Sequence, residues 1–355
     1  MQHYARRARS RIGIRLSLMS SLAVCVMLLA GREAPASPVT QAGINPDLLR
    51  PHLVAIDGGR RLNLHCLGSG SPTIIFEQGG EGFISNWAKV QPAATMLTRT
   101  CFYDRAGFGY SDPPNKPVTA LSVTDDLHAL LRKAKVKGPF VLVGHSIGGF
   151  YATMYTDRFP GEVAGLVLVD PGFSGQDSGP GQPILDQVNT RRGEGYLVRC
   201  AALGRAGKLT AANLAANRCI TLPPNSTPEE ARYILHAIAR PHWHEAEHSQ
   251  SVNYFTGDDE PSVSHAQEMA VSRAFGGIPM VVLSRSEFPG QPWRTDAENQ
   301  RARDRWRAGA QQLAARSTRG RWSIVPNSDH FIQKSEPEAV RQAISEVVSM
   351  AREAR

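Results

Sequence analysis

Two hydrophobic patterns alternate along the chain: short runs of consecutive apolar residues, and longer stretches with an apolar residue every third or fourth position. The first pattern is typical of buried strands and the second of helices. The predicted strands cover residues 53–56, 61–66, 73–77, 100–103, 140–143, 165–169, 278–283 and 322–325. The main predicted helices cover residues 87–97, 123–135, 150–155, 229–239, 294–316 and 337–353. This alternation predicts an α/β domain whose sheet is mainly parallel and covered by helices on both faces.

The alternation is interrupted between the sixth and seventh predicted strands. Gly and Pro cluster at residues 172–183 and again at 223–224, and helical patterns occur in this region without a recognisable strand. We therefore predict that residues 37–172 and 277–355 form one α/β core. Residues 173–276 are predicted to form a helical insertion after the sixth strand.

The first 36 residues have the pattern of a secretory signal peptide. Five arginines at residues 6–15 precede an apolar stretch at residues 16–30, which is shorter than the ~20 residues of a typical membrane span. Ala34-Pro35-Ala36 provides small residues for cleavage before Ser37. We expect a bacterial protein that is secreted or periplasmic, without stable membrane insertion. A retained membrane anchor is the alternative.

The net charge is small once this leader is set aside. The whole chain carries +8, but residues 1–36 contain six Arg and one Glu, so residues 37–355 carry +3. This balance gives no basis for nucleic-acid binding. Four of the five cysteines lie beyond residue 36, namely Cys66, Cys101, Cys200 and Cys219. An even number in an exported protein predicts disulfides, and the lack of a C-x-x-C pair argues against a zinc site of that kind.

Ser146 lies in the sequence Gly-His-Ser-Ile-Gly, between the predicted strand at 140–143 and a predicted helix. A turn this tight holds its serine in an unfavourable backbone conformation, at a cost of roughly 1–3 kcal/mol. Neighbouring segments would press on the positions two before and two after, where only Gly144 and Gly148 leave room. The turn exposes the hydroxyl above the sheet, so Ser146 is a candidate nucleophile. The alternative is a glycine-rich turn without chemistry.

Four segments in order resemble the α/β-hydrolase fold family: Gly79-Gly80 after the third strand, the loop 104–111, the turn at Ser146, and residues 328–331 (Ser-Asp-His-Phe) after the last strand. The resemblance covers most of residues 37–355 outside the insertion. It implies an eight-stranded, mainly parallel sheet with a helical lid inserted after strand 6. Residues 77–80 (Glu-Gln-Gly-Gly) and 103–107 (Tyr-Asp-Arg-Ala-Gly) together are similar to an exported, bacterial serine esterase-like branch. Where the family commonly has His-Gly, this chain has Gln78-Gly79.

The resemblance also implies roles for individual residues. Ser146 corresponds to the nucleophile and His330 to the base. The family places the acid after the sixth or the seventh strand, which leaves Asp170 and Glu287 as candidates. We favour Asp170 because it is held at a strand end and followed by Pro171, whereas the loop of Glu287 is flanked by Gly and Pro.

The implied oxyanion donors are the backbone N–H groups of Gly80 and Ile147. In this fold Cys66 and Cys101 lie on neighbouring strands, while Cys200 and Cys219 both lie in the insertion, so each pair could form a disulfide. His244 and His248 could share one helix face near His242 and suggest a metal site. The implied chemistry needs no metal and no cofactor, and we expect neither.

The sequence therefore predicts an exported, monomeric serine hydrolase that cleaves small or polymeric carboxylic esters through a Ser-His-Asp triad and an acyl-enzyme. The serine argues against the family members that use an aspartate nucleophile. Hydrolysis of lactones or amides is one alternative. A non-catalytic protein that binds a ligand in the same pocket is another.

Overall fold

The computed structural model describes residues 43–176, 195–210, 212–220, 222–223, 225–255, 261–290 and 294–354. The chain from residue 41 onwards forms one compact unit. The predicted signal peptide (1–36) and residues 177–194 of the predicted insertion lie outside the described residues.

Eight strands form one sheet in the order β1-β2-β4-β3-β5-β6-β7-β8. They are β1 (Leu53–Ala55), β2 (Arg61–Leu67), β3 (Thr73–Glu77), β4 (Thr100–Tyr103), β5 (Phe140–His145), β6 (Val163–Val169), β7 (Met280–Arg285) and β8 (Gly320–Val325). Strand β2 pairs antiparallel with β1 and β4, and all other neighbours are parallel. The predicted mainly parallel, eight-stranded sheet is confirmed.

Helices lie on both faces of this sheet, as predicted. They are α1 (Gln91–Leu97), α2 (Ala120–Lys133), α3 (Ile147–Arg158), α4 (residues 195–205), α5 (Pro228–Ile238), α6 (Pro241–Tyr254), α7 (Val263–Val271), α8 (Asp296–Ala315), α9 (Ile332–Ser335) and α10 (Pro337–Glu353). Strand β3 shows the division between faces, because Ile74 and Phe76 pack in one core cluster with Val347 of α10. The alternate residue Ile75 packs in the other cluster with Leu313 of α8.

Two helix starts differ from the prediction for local reasons. Helix α2 begins three residues earlier, at Ala120, because the Thr119 side chain caps it and accepts a hydrogen bond from the Ser122 N–H. The single helix predicted from Trp87 is divided into a 3-10 helix, Ile84–Trp87, and α1, which begins at Gln91. Pro92 lies in the first turn of α1, where a missing N–H costs little.

Between β6 and β7 the described residues contain α4 to α7 and no strand. Helix α7 packs on α6, and it also contacts α2 and α3. The role of this segment as a lid stays a prediction. In the part of the chain that the structure covers, no helix is both long and apolar enough to cross a bilayer.

Both predicted disulfides are present. Cys66–Cys101 joins directly paired residues of β2 and β4 and closes a sequence separation of 35 residues. Cys200–Cys219 joins α4 to the residues that follow it, with a separation of 19. A longer closed loop removes more entropy from the unfolded chain.

We predict that removing either disulfide lowers the free energy of unfolding. The double variant Cys66→Ala with Cys101→Ala should lose about 4 kcal/mol, and Cys200→Ala with Cys219→Ala about 3 kcal/mol, from the loop lengths alone. Urea denaturation measures both. Wild-type protein in reductant is the control, because it loses both constraints. An unchanged unfolding midpoint in either variant would contradict the prediction.

Candidate active site

Ser146 lies between the end of β5 and the start of α3 with φ 55° and ψ −128°. An L-residue rarely adopts this conformation unless the surrounding structure imposes it. Two hydrogen bonds impose it here. The Ser146 N–H donates to the Val169 carbonyl at the end of β6 (3.1 Å), and the Ser146 carbonyl accepts from the Gly172 N–H (2.9 Å). The turn is therefore tied to the end of the neighbouring strand.

The two glycines that flank this turn have no room for a side chain. A Cβ at Gly144 would lie 2.5 Å from the Gly148 carbonyl oxygen. A Cβ at Gly148 would overlap the backbone carbonyls of Glu77 and Gln78, at the end of β3. The predicted pressure from a neighbouring segment is confirmed at Gly148, where the β3 turn lies against the Ser146 turn, whereas Gly144 is blocked by Gly148 and Gly149 of the same turn.

His330 lies in the loop between β8 and α9 and contacts both other predicted triad residues. Its Nε2 is 3.0 Å from Ser146 Oγ, and its Nδ1 is 2.6 Å from Asp170 Oδ2. The imidazole is 30% exposed, whereas the Asp170 side chain is fully buried. A carboxylate beside Nδ1 favours the tautomer in which Nδ1 carries the proton, which leaves Nε2 able to accept one from Ser146.

The Asp170 carboxylate is surrounded by donors from three elements. Besides His330, its Oδ1 accepts from the Trp306 indole N–H of α8 (2.9 Å) and from the Arg285 N–H at the end of β7 (3.2 Å). The Arg285 guanidinium lies 3.5 Å from Oδ2. Burial lowers the pKa of this guanidinium, and it stacks 3.9 Å from the ring centre of Phe288. These contacts offset the desolvation of Asp170 and hold it in one orientation.

Glu287, the other candidate acid, is not the carboxylate that contacts His330. Its side chain is exposed, and its backbone N–H donates to the Ser328 carbonyl (2.9 Å). The structure thus places Asp170, and not Glu287, at the Nδ1 atom of His330.

The two predicted oxyanion donors belong to two segments that adjoin Ser146. Ile147 is the first residue of α3, and Gly80 belongs to the turn after β3. This turn passes close to the serine, since a Cβ at Gly79 would be 3.7 Å from Ser146 Cβ. Neither the Gly80 nor the Ile147 N–H donates a hydrogen bond to another residue that the structure describes. Both groups therefore remain candidates for the predicted role.

Arg105 contacts the turn after β3, although the sequence indicates it only as one residue of the loop that resembles the family. Its guanidinium is 2% exposed and pairs with the buried Glu77 at 2.9 Å. It also donates to the backbone carbonyls of Gln78, Gly79 and Gly80. The sequence did contain a signal for this pair: Glu77 ends the apolar strand 73–77, and a buried carboxylate needs a positively charged or hydrogen-bonding partner.

Helix α6 brings a second carboxyl group to the same turn. Glu247 Oε2 accepts from Gln250 Nε2 (2.9 Å), and Gln250 Nε2 also donates to the Gly80 carbonyl (3.1 Å). Burial raises the pKa of Glu247 to about 8. Burial also raises the pKa of Glu81, against the opposing effect of the Lys334 charge. Burial therefore favours the protonated form of Glu247, which can donate a hydrogen bond.

His244 is one of the three histidines that suggest a metal site. His244 is buried, and its Nε2 donates to the Ile238 carbonyl (2.8 Å). Over the described ranges, no three His, Cys, Asp or Glu side chains are grouped so that they could hold a metal ion.

Residues 64–343 match the sequence profile of the Alpha/beta hydrolase family. The chain belongs to the alpha/beta hydrolase family. The matched range includes Ser146, Asp170 and His330. It also includes strands β3 to β8, which form the parallel part of the sheet.

Two fungal relatives of this alpha/beta hydrolase have no described activity. An uncharacterized vacuolar membrane protein of Saccharomyces cerevisiae (strain YJM789) is 37% identical over 103 residues, which are 28% of this chain and 16% of the relative. An uncharacterized protein of Schizosaccharomyces pombe is 26% identical over 310 residues, which are 79% of this chain and 52% of the relative. The chain thus spans between about a sixth and about half of the length of these curated relatives.

Solved structures with the same fold are hydrolases of several kinds. A thermophilic esterase from Thermogutta terrifontis superposes with a TM-score of 0.55 at 20% identity, covering 85% of this chain and 99% of the esterase. Others include an enol-lactonase and an epoxide hydrolase. Similarity at this level of identity shows the fold, and the bond that is cleaved differs among these proteins.

We predict that Gly148→Ala destabilises the protein while Gly161→Ala does not. The added methyl group at Gly148 would overlap backbone carbonyls of β3 and its turn, whereas nothing lies within 4 Å of a Cβ at Gly161. Overpacking of this kind costs about 1–3 kcal/mol, and an exposed substitution about 0.5 kcal/mol or less. Urea denaturation of both variants gives the comparison, and equal losses would contradict the explanation given for Gly148.

Proposed function

We propose that this alpha/beta hydrolase cleaves carboxylic esters with Ser146 as nucleophile, His330 as general base and Asp170 as the acid that orients the base. The observation that carries the proposal is that the His330 imidazole is hydrogen-bonded on both sides. Its Nε2 is 3.0 Å from Ser146 Oγ, and its Nδ1 is 2.6 Å from Asp170 Oδ2. A serine hydroxyl is a weak nucleophile unless a base within hydrogen-bonding distance takes its proton.

In the proposed reaction Ser146 Oγ attacks the ester carbonyl carbon while His330 Nε2 takes the hydroxyl proton. The buried Asp170 carboxylate stabilises the imidazolium that forms. The tetrahedral intermediate then expels the alcohol, which takes the proton from His330, and an acyl-enzyme remains. Water, activated by the same imidazole, attacks the acyl carbon and releases the acid.

The backbone N–H groups of Ile147 and Gly80 are proposed to bind the oxyanion. The Ile147 N–H lies at the first turn of α3, where the helix dipole favours negative charge. The proximity of the β3 turn to Ser146 supports a donor from that turn. Losing one such donor typically costs on the order of 10²–10³-fold in kcat.

We also propose that the segment between β6 and β7 acts as a lid that helps to form the substrate pocket. Helix α6 of this segment places Gln250 3.1 Å from the Gly80 carbonyl, next to the proposed oxyanion site. Export to the periplasm or the medium belongs to the same proposal. The two disulfides suit an oxidising compartment, where such bonds persist.

Lactones are the second candidate substrates. A lactone is a cyclic ester and would react by the same steps, with the leaving alcohol still joined to the acyl group. The enol-lactonase among the structural neighbours favours this candidate. Small and polymeric linear esters remain within the first proposal.

We predict that Ser146→Ala abolishes hydrolysis of p-nitrophenyl acetate and butyrate, because no other group would form the acyl-enzyme. The expected loss in kcat is on the order of 10⁶-fold, measured as nitrophenol release. A fluorophosphonate probe should label the wild type at Ser146 only.

Ser349→Ala is the matched control, since Ser349 is exposed on α10, outside the site. It should keep wild-type activity and labelling. A wild type that neither releases nitrophenol nor reacts with the probe more than Ser146→Ala would favour a non-catalytic ligand-binding protein instead.

We predict opposite outcomes for the two candidate acids. Asp170→Asn should reduce kcat by about 10⁴-fold, because an amide cannot hold the tautomer that the base requires. Glu287→Gln should stay within about twofold, as expected for a change at an exposed side chain. Both variants are assayed with p-nitrophenyl butyrate after circular dichroism has verified folding. The reverse ranking would assign the acid to Glu287.

A further inference from the structure

One buried guanidinium holds three consecutive carbonyl groups of the turn after β3. Arg105 donates through one terminal nitrogen to the Gln78 carbonyl (2.7 Å). Through the other it donates to the carbonyls of Gly79 (2.6 Å) and Gly80 (3.1 Å). These three bonds determine how the peptide planes of the turn are oriented.

The orientation of the carbonyls determines that of the N–H groups. In a trans peptide the C=O and N–H bonds point in opposite directions. Carbonyls directed at Arg105 therefore direct the N–H groups of Gly79, Gly80 and Glu81 away from it. We propose that Arg105 is a positioning residue that, by holding the Gly79 carbonyl, aims the Gly80 N–H at the oxyanion formed on a substrate bound to Ser146. The inference rests on the ester hydrolysis proposed above.

The surroundings of Arg105 make its position rigid. Glu77 Oε1 accepts from it at 2.9 Å, and the Tyr103 hydroxyl donates to the other carboxylate oxygen. The rings of Phe108 and Tyr151 lie 4.9 and 5.5 Å from the guanidinium carbon. The charge is thus balanced, and the planar group has little freedom to turn.

A lysine could not replace this arrangement. The guanidinium presents several N–H donors in a fixed plane, which suits several acceptors at once, whereas an ammonium group is a single point of charge on a flexible stem. Arg105→Lys would keep the positive charge beside Glu77 but leave some of the three carbonyls without a donor. The turn would then lose the orientation that its N–H groups need.

The test compares p-nitrophenyl acetate with its thiono analogue, in which sulfur replaces the carbonyl oxygen. Sulfur is a weak hydrogen-bond acceptor, so a site of aimed N–H groups favours the oxygen ester. Arg105→Lys should reduce kcat for the oxygen ester by roughly 10–100-fold, which is at most the effect of removing one oxyanion donor. KM should stay within about threefold of the wild-type value. The preference for the oxygen ester over the thiono ester should fall towards that of the uncatalysed reaction.

Tyr103→Phe is the matched control. It removes a hydrogen bond to the same Glu77 but touches none of the three carbonyls of the turn. It should therefore keep the wild-type preference for the oxygen ester, even if its melting temperature falls as far as that of Arg105→Lys. A preference that is unchanged in Arg105→Lys, or lost equally in Tyr103→Phe, would overturn the inference.

A second variant avoids an unbalanced buried charge. Glu77→Gln combined with Arg105→Met removes both charges and keeps similar side-chain volumes, a type of replacement that folded proteins often tolerate. It should show the same loss of preference, and a wild-type ratio in this variant would equally overturn the inference. Failure of the ester proposal itself is distinguishable, because the wild type would then neither turn over the oxygen ester nor react with a fluorophosphonate.

Discussion

The close approach of backbone segments around Ser146 is the constraint on which the site depends. The β3 turn, the end of β6 and the first turn of α3 all contact the serine turn, and the absence of Cβ atoms at Gly144 and Gly148 allows this approach. The positive φ of Ser146 costs roughly 1–3 kcal/mol, which the packing of these segments must offset. As a result, the backbone of Ser146 is held close to the ends of β3, β5 and β6.

Two buried charged side chains link the elements that surround the serine turn. Asp170 and Arg105 are both almost inaccessible to solvent, so each would destabilise the fold without partners. Asp170 has donors from α8, β7 and the loop after β8, while Arg105 joins β3 to the loop after β4. Each charge thus links elements that are distant in sequence. These links hold the carboxylate of Asp170 and the turn after β3 in place.

The segment between β6 and β7 is joined to the core by polar contacts as well as by packing. The Tyr233 hydroxyl of α5 donates to Asp104 (2.5 Å), next to Arg105 in the loop after β4. Glu268 of α7 pairs with Arg316 (2.9 Å), which also contacts Asp157 of α3. Burial raises the pKa of Asp157 to about 7. The proposed lid is therefore anchored both to the helix that follows Ser146 and to the loop that contains Arg105.

The sequence alone determined the features that depend on neighbouring residues. The strands and most helices follow from local hydrophobic periodicity. The turn at Ser146 follows from a strand, two glycines and a helix within a few positions. The sequence favoured Asp170 over Glu287, but only the tertiary structure shows that Asp170 contacts His330. Only the tertiary structure, too, revealed the contacts of Arg105 with the β3 turn. The physical reason is that hydrogen bonds require particular distances and angles between groups far apart in sequence. Those distances and angles depend on strand order and loop conformation, which the residue pattern of a single sequence does not specify.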